Sequence, residues 1–226
     1  MLILRIKYEK NSLVKYISHL DVMRTFTRAL RRAKLPLCFS QGFNPRPKIE
    51  FAPALPVGIT SEGEYLDVEF EGKIEPDKAL AMLNNVLPSG LCVKASDFAQ
   101  GKPSLSSLNM ALYLTDIYPG KDIKRDVFAD VLARFLTKKQ IIVEKHTKGK
   151  IREIDIAPLI YGIEMAGFKD GIVQLALELC IGQEGNVKPQ MVISSLEKML
   201  NREVKISSIH RKDMFVYKEG IKVSPL

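Results

Sequence analysis

The order of strand-like and helix-like segments is the feature that most restricts how this chain folds. Residues Leu2–Glu9 alternate apolar and polar side chains, which is typical of a half-buried strand. A helix pattern, two strand patterns, a second helix pattern and another strand follow before residue 100. The second half of the chain repeats this order. We therefore expect an α+β protein built from two tandem ferredoxin-like (βαββαβ) domains.

A polar stretch of small residues separates the two halves. Residues 100–107 read Gln-Gly-Lys-Pro-Ser-Leu-Ser-Ser, a composition that is typical of a linker. The sequence thus predicts one domain at 1–99 and a second at 108–226.

Alternation within one strand predicts which of its faces is buried. Between Tyr65 and Phe70 every second residue is strongly apolar. Since side chains alternate across a strand, we expect Tyr65, Asp67 and Glu69 to face solvent. The preceding segment, Pro53–Gly63, is unusually apolar for a connection, and we expect it to cover the core or a partner surface.

Composition excludes several classes of protein. Hydrophobic residues make up 46% of the chain and charged residues 27%, which is ordinary for a globular protein and excludes a disordered one. No apolar run approaches the roughly 20 residues that span a bilayer, and the chain begins as a strand, so we expect a cytoplasmic protein without a membrane partner. The three cysteines, far apart and each between apolar residues, match no metal-site spacing and are expected to be buried thiols: Cys38, Cys92 and Cys180.

Positive charge is concentrated near the start of the chain. The net charge is +8, and residues 1–50 hold 11 basic and 3 acidic residues, whereas residues 51–100 hold 3 and 8. A local excess of this kind favours a polyanionic partner.

The first helix pattern begins and ends at recognisable signals. Ser18 and Asp21 have the spacing of a capping box, and the pattern stops near Lys34, before Pro36.

Four arginines of this helix form a row. At 100° per residue Arg24, Arg28 and Arg31 lie together, with Arg32 beside them, opposite the apolar side of the helix. Like charges at this spacing destabilise a helix slightly, and no acidic residue between Arg24 and Lys34 offsets them. Because the planar guanidinium group suits phosphate, the row predicts a phosphate-binding face, with a merely solvated basic face as the alternative.

The loop Ser40–Lys48 has the composition of a nucleotide contact. It contains an aromatic ring, two cations and two amide side chains: Phe43, Arg46, Lys48, Gln41 and Asn44. Such a loop can stack a base on its aromatic ring and hold phosphates with its cations. The alternative is a turn anchored to the core by Phe43. A second basic loop, which contains His146, is either a further phosphate contact or a hairpin tip.

His19 is the candidate for acid–base chemistry, with Ser18 and Asp21 beside it. Helix capping accounts for those two neighbours, and their spacing along a helix does not form a catalytic triad. The chain contains no glycine-rich nucleotide motif and no Cys-x-x-Cys or His-Glu-x-x-His motif, so we expect neither a cofactor nor a metal.

Three segments carry a resemblance to a known family: Tyr16–Arg24 (Tyr-Ile-Ser-His-Leu-Asp-Val-Met-Arg), Ser40–Lys48 (Ser-Gln-Gly-Phe-Asn-Pro-Arg-Pro-Lys) and Leu55–Asp67 (Leu-Pro-Val-Gly-Ile-Thr-Ser-Glu-Gly-Glu-Tyr-Leu-Asp). With them the chain resembles the radical SAM-linked, or radical SAM-associated, bacterial family, a domain of unknown function also found fused to the C-terminus of radical SAM proteins. The resemblance implies a radical SAM protein as partner. It implies no reaction and no catalytic residue.

These observations together predict an RNA-binding accessory protein, without catalysis of its own, that works with a radical SAM enzyme in the modification of tRNA or rRNA. The expected RNA contacts are the arginine row and the loop residues Gln41, Phe43, Asn44, Arg46 and Lys48. One alternative is a metal-independent ribonuclease that uses His19. The other is a protein-interaction module that docks a radical SAM protein.

Overall fold

The protein divides into two compact units. The structure is a computed structural model that describes residues 2–147 and 150–226, with the backbone alone at 145–147 and 150. One unit is formed by Met1–Leu108 together with Arg211–Leu226, and the other by Asn109–His210.

Both units mix helices with antiparallel strands, which confirms the expected α+β class. The domain boundaries predicted at 1–99 and 108–226 stay a prediction. The predicted linker at 100–107 includes a short 3-10 helix, Leu105–Ser107, whose Leu105 side chain is buried.

The first unit contains two helices over a sheet. Its elements up to residue 108 are β1 (Leu2–Lys10), α1 (His19–Arg32), β2 (Ile49–Phe51), β3 (Thr60–Phe70), α2 (Pro76–Asn84) and β4 (Leu91–Phe98). Strand β1 lies between β4 and β3, antiparallel to both, and β2 pairs with β3. The residues of β10 (Lys205–Lys218) from Arg211 onward also belong to this unit, and β11 (Ile221–Val223) pairs with them. Before β2, Leu37 and Phe39 form isolated bridges to Phe70 and Pro47.

Helix α1 forms because its ends are capped and one of its faces is apolar. The Ser18 hydroxyl accepts from the Asp21 N–H while the Asp21 carboxylate accepts from the Ser18 N–H, which confirms the capping box. Val22, Phe26 and the alanine and leucine at 29 and 30 are buried against β1 and β3. The Tyr8 and Phe26 rings lie 4.6 Å apart between centroids. This packing fixes which face of α1 is left for solvent.

Tyr65 and Asp67 are buried, which makes the expectation that they face solvent wrong, and Glu69 is half-buried. Asp67 accepts two hydrogen bonds from the Arg5 guanidinium, at 2.8 and 2.6 Å. The Tyr65 hydroxyl donates to Asp213 at 2.5 Å. Both partners come from distant parts of the chain, so alternation within the strand did not reveal them.

The second unit has the same order of helices and sheet strands, with an additional hairpin. Its elements are β5 (Met110–Tyr118), α3 (Arg125–Leu136), β6 (Ile142–Thr147), β7 (Lys150–Asp155), β8 (Ile160–Lys169), β9 (Ile172–Cys180), α4 (Pro189–Leu200) and the residues of β10 up to His210. Strands run in the order β10-β5-β9-β8, while β6 and β7 pair only with each other among the described strands. The buried residues of α3 are Phe128, Val131, Leu132 and Phe135.

Two further expectations concern thiols and membranes. The cysteines are free thiols: Cys38 and Cys180 are buried and Cys92 is half-buried. Within the described residues, no helix has the length and apolar character needed to cross a lipid bilayer.

The apolar connection after β2 covers the core through Leu55 and Ile59, which are buried.

Candidate nucleic-acid interface

Helix α1 presents its arginines to solvent because its opposite face is packed on the sheet. Arg24, Arg28, Arg31 and Arg32 are all exposed. They extend from the middle of the helix to its last turn, where the helix dipole favours cations. The structure therefore forms the row that the sequence predicts.

The loop Ser40–Lys48 is closed at its base by backbone hydrogen bonds. The Ser40 N–H donates to the Arg46 carbonyl at 2.9 Å, and the Arg46 N–H donates to the Ser40 hydroxyl at 3.1 Å. Gly42 has φ +121°, a conformation that residues with a Cβ rarely adopt. Phe43 is fully exposed at the tip of the loop. The alternative in which Phe43 anchors the loop to the core is therefore wrong.

A groove of about 670 Å³ lies between α1 and this loop. Arg24, Arg28 and Arg31 line it from the helix, and Arg46 lines it from the loop. The remaining lining residues are Leu20, Met23, Thr27, Pro47, Ile49 and Phe51. The groove lining thus holds four guanidinium groups and no acidic side chain. Its apolar members, which we call the apolar floor, are Leu20, Met23, Pro47, Ile49 and Phe51.

The groove arginines have little internal compensation. Arg24 lies 3.5 Å from the Asp21 carboxylate in an exposed pair, a weak interaction in water. Arg31 lies over the Phe39 ring, 5.7 Å from its centroid. Within the described part of the chain, neither Arg28 nor Arg46 has a carboxylate partner. These side chains are available to an anionic ligand.

Two predicted contact residues have partners within the protein. Arg32 donates to the Val86 carbonyl at 2.7 Å, so it ties α1 to the segment that follows α2. Lys48 lies 2.9 Å from Glu69, and this hydrogen bond and the charge of Glu69 raise the pKa of the Lys48 ammonium. Gln41 and Asn44 are exposed on the loop and do not line the groove. The structure thus unites Arg24, Arg28, Arg31 and Arg46, but not the whole predicted set.

His19 lies near one end of the groove and contacts its floor. Its ring packs edge-on against Phe51, with 5.6 Å between centroids. Burial lowers the pKa of His19, the charges of Arg211 and Lys10 lower it further, and Glu64 opposes the change. Ser18 and Asp21 are engaged with each other as helix caps. The three residues form no catalytic triad, as the spacing predicts.

Sequence reasoning missed the apolar floor of the groove. Leu20, Met23 and Thr27 follow one another at helical spacing between the arginine side and the core side of α1. The helical spacing of these three residues could therefore have predicted the part of the groove that α1 contributes. Ile49 and Phe51 belong to the short strand β2, and only the fold brings them beneath the arginines. The predicted contact at His146 lies outside the described side chains.

The sequence signature of one family, DUF2344, described as "Uncharacterized protein conserved in bacteria", matches residues 4–189. The chain belongs to this family. No curated protein matches the sequence of this DUF2344 protein.

Two solved structures share the fold of this DUF2344 protein. One matched chain comes from a Cbf5-Nop10-Gar1 complex, with 13% identity, a TM-score of 0.57 and coverage of 96% of this chain and 50% of that one. The other comes from the Nop10-Cbf5 complex of an archaeal box H/ACA sRNP, with 10% identity, a TM-score of 0.51 and coverage of 92% and 46%. The DUF2344 protein therefore spans about half the length of the chains that it matches.

Proposed function

We propose that this DUF2344 protein binds RNA through the groove between α1 and the loop Ser40–Lys48. The observation that carries the proposal is the set of four exposed arginines around one groove without an acidic residue in its lining. Arg24, Arg28, Arg31 and Arg46 bind phosphates, and Phe43 offers an exposed ring to a base.

The fold supports the same proposal. One matched chain comes from the Nop10-Cbf5 complex of an archaeal box H/ACA sRNP, so the fold that this chain shares occurs in a component of an RNA–protein assembly. This fits an RNA partner for the DUF2344 protein. The proposed RNA-binding residues are inferred from the groove and not from the shared fold.

We infer that both units are ferredoxin-like domains. In the first unit β1 lies between β4 and β3, and in the second β5 lies between β10 and β9. In each unit the first strand of the sheet therefore lies between the fourth strand and the third. This order is typical of the ferredoxin-like βαββαβ fold. The β6–β7 hairpin is then an insertion between α3 and β8.

We also propose that the RNA is presented to a radical SAM enzyme, which modifies it. This part rests on the resemblance in Tyr16–Arg24, Ser40–Lys48 and Leu55–Asp67. If the DUF2344 protein is tagged and purified from a bacterium that encodes it, a radical SAM protein is expected to copurify, and nuclease treatment is expected to release that protein. An association that survives nuclease treatment would instead favour direct docking between the two proteins.

The direct test of RNA binding compares wild type with Arg24→Glu/Arg28→Glu/Arg31→Glu. Because hydrogen bonds to charged groups contribute about 1.5–3 kcal/mol each, the affinity for cellular RNA should fall at least about 100-fold. The matched control is Lys124→Glu/Lys138→Glu/Lys139→Glu, which makes the same change in net charge at exposed positions of the second unit. If the control loses as much affinity as the groove variant, binding follows net charge and the proposed site is wrong.

The ribonuclease alternative has its own test. Labelled RNA is incubated with wild type and with His19→Ala, and both are expected to leave the RNA intact. Cleavage by wild type that disappears in His19→Ala would establish the alternative.

A further inference from the structure

The floor of the groove has a chemistry that phosphate binding does not need. Five of its lining residues are apolar: Leu20, Met23, Pro47, Ile49 and Phe51. Leu20 is 60% exposed, and Met23, Ile49 and Phe51 are half-buried. A groove that bound only phosphates would leave this apolar surface in water. The floor therefore favours a ligand that also has an uncharged, flat part.

The ring at the floor of the groove is held in place by its neighbours. Phe51 packs edge-on against His19 and also against Phe26, whose centroid lies 6.3 Å away. Phe26 belongs to the core of the first unit, so Phe51 is supported from below. A ring fixed in this way loses little conformational freedom when a flat group packs on it.

The groove brings positively charged side chains and apolar side chains close together. Arg24, Arg28 and Arg31 come from the helix side and Arg46 from the loop side, and the apolar floor lies between them. A nucleotide has the same arrangement, because its phosphates carry the charge and its base has two apolar faces.

Paired and unpaired RNA differ in their fit to such a groove. In a duplex the base faces are stacked on each other, so a protein reaches phosphates, 2′-hydroxyls and the base edges of the shallow minor groove, but no base face. Unpaired bases turn outward and pack on apolar or aromatic side chains. Phe43, fully exposed at the loop tip, is a second platform beside the groove.

We propose that the groove is selective for unpaired RNA, with one base on the floor formed by Met23, Ile49 and Phe51 and the flanking phosphates on the arginines. This inference rests on the proposed function, and it names the class of RNA that the site takes. The substrate is then a loop, a bulge or a single-stranded end.

The experiment measures the affinity of the full chain for three probes of equal length: a 12-nucleotide oligouridylate, the same ribose-phosphate chain without bases, and an oligouridylate–oligoadenylate duplex. We expect the oligouridylate to bind about tenfold more tightly than either of the others, because stacking contributes roughly a factor of ten per base.

A floor variant separates base contacts from phosphate contacts. Met23→Lys adds a cation to the floor and keeps a good helix former at a half-buried position of α1. The oligouridylate should bind several-fold more weakly to this variant, whereas the chain without bases should bind equally or more tightly. Phe43→Ala, at a side chain that packs on nothing, is a second variant that leaves the fold intact and is expected to weaken oligouridylate binding alone.

The outcomes distinguish the inference from the proposed function. Equal affinity for all three probes, or a Met23→Lys variant that binds oligouridylate more tightly, would overturn the selectivity for unpaired RNA while RNA binding through the arginines stands. Absence of binding to every probe at low salt would overturn both.

Discussion

Two sets of arginines in the first unit have opposite environments. Arg5 and Arg211 are each only 1% exposed and are fully engaged by carboxylates and carbonyls. The groove arginines, Arg24, Arg28, Arg31 and Arg46, are exposed, and their nearest carboxylate contact is the weak pair of Arg24 with Asp21. The same type of side chain therefore occurs in two contrasting environments within one unit.

The buried arginines hold distant segments together. Arg5 binds Asp67 through two nitrogens and donates to the carbonyls of Pro103 and Pro225, at 2.6 and 2.8 Å. Arg211 binds Glu64 at 2.7 and 2.5 Å and donates to the Pro53 carbonyl. These contacts tie the C-terminal segment to the sheet, so we expect the buried arginines to stabilise the folded state.

The exposed arginines contribute nothing comparable to the fold. Helix α3 of the second unit shows the usual arrangement, since its Arg134 lies 2.9 Å from Asp130 one turn away. Helix α1 lacks such pairing along Arg28 and Arg31. The proposed RNA contact accounts for this difference, because unpaired arginines on α1 are then left for phosphates, and the following predictions test that division.

The largest effect is expected when a buried arginine loses its partner. Asp67→Ala leaves the Arg5 charge buried and should lower the free energy of unfolding by about 3–5 kcal/mol. Asp97→Ala is the control, because Asp97 pairs with Lys102 at the surface and its removal should change stability by about 1 kcal/mol or less. Urea unfolding followed by circular dichroism measures both. A loss for Asp67→Ala no larger than that for Asp97→Ala would contradict the structural role of Arg5.

A medium effect is expected for the one arginine of the α1 row that has a firm partner. Arg32→Ala removes the hydrogen bond to the Val86 carbonyl and should lower the free energy of unfolding by about 0.5–1.5 kcal/mol. RNA affinity should change little, since Arg32 does not line the groove between α1 and the loop Ser40–Lys48. The reverse pattern, unchanged stability with a large loss of RNA affinity, would place Arg32 among the ligand-binding arginines.

A pH effect is expected from His19, which lies close enough to the buried cations to sense them. Burial, Arg211 and Lys10 hold its pKa below the ordinary 6.5. In the unfolded chain His19 protonates near that value, so its contribution to stability is present above pH 6.5 and is lost as the pH falls toward the folded pKa. The free energy of unfolding should therefore decline more steeply between pH 7 and pH 5 in wild type than in His19→Gln. Parallel curves would show that His19 does not sense its buried neighbours.

The smallest effect has the opposite sign. Arg28 lies four residues from both Arg24 and Arg32, and like charges at that spacing destabilise a helix. Arg28→Ala should raise the free energy of unfolding by about 0.2–0.5 kcal/mol per repulsive pair removed, while it weakens RNA binding. Thermal unfolding at low salt is the measurement. A destabilised Arg28→Ala variant would mean that this arginine also serves the fold.

The local features of the molecule were predictable from sequence, and the long-range polar contacts were not. The capping box of Ser18 and Asp21, the apolar face of α1 and the position of the arginine row follow from spacing along one helix. Alternation within the strand assigned Asp67 and Tyr65 to solvent. That assignment was wrong because their partners, Arg5 and Asp213, come from other segments of the chain. Periodicity within a strand carries no information about what covers its second face.

The candidate site divides in the same way. Arg24, Arg28 and Arg31 were identified together from their helical positions, and Arg46 from the composition of its loop. Lys48 looked equivalent to Arg46 in sequence, but its pairing with Glu69 depends on strand β3. The apolar floor was missed because two of its members lie on a different element from the arginines.

The salt dependence of RNA affinity tests the central claim most directly. For single-stranded RNA, log K falls with log salt concentration with a slope of about −0.7 per phosphate contacted, so four groove arginines predict a slope of about −3. The slope for Arg24→Glu/Arg28→Glu/Arg31→Glu should be close to −1 or shallower, and that for Lys124→Glu/Lys138→Glu/Lys139→Glu should match wild type. Equal slopes for wild type and the groove variant would show that the arginines of α1 do not contact the RNA backbone.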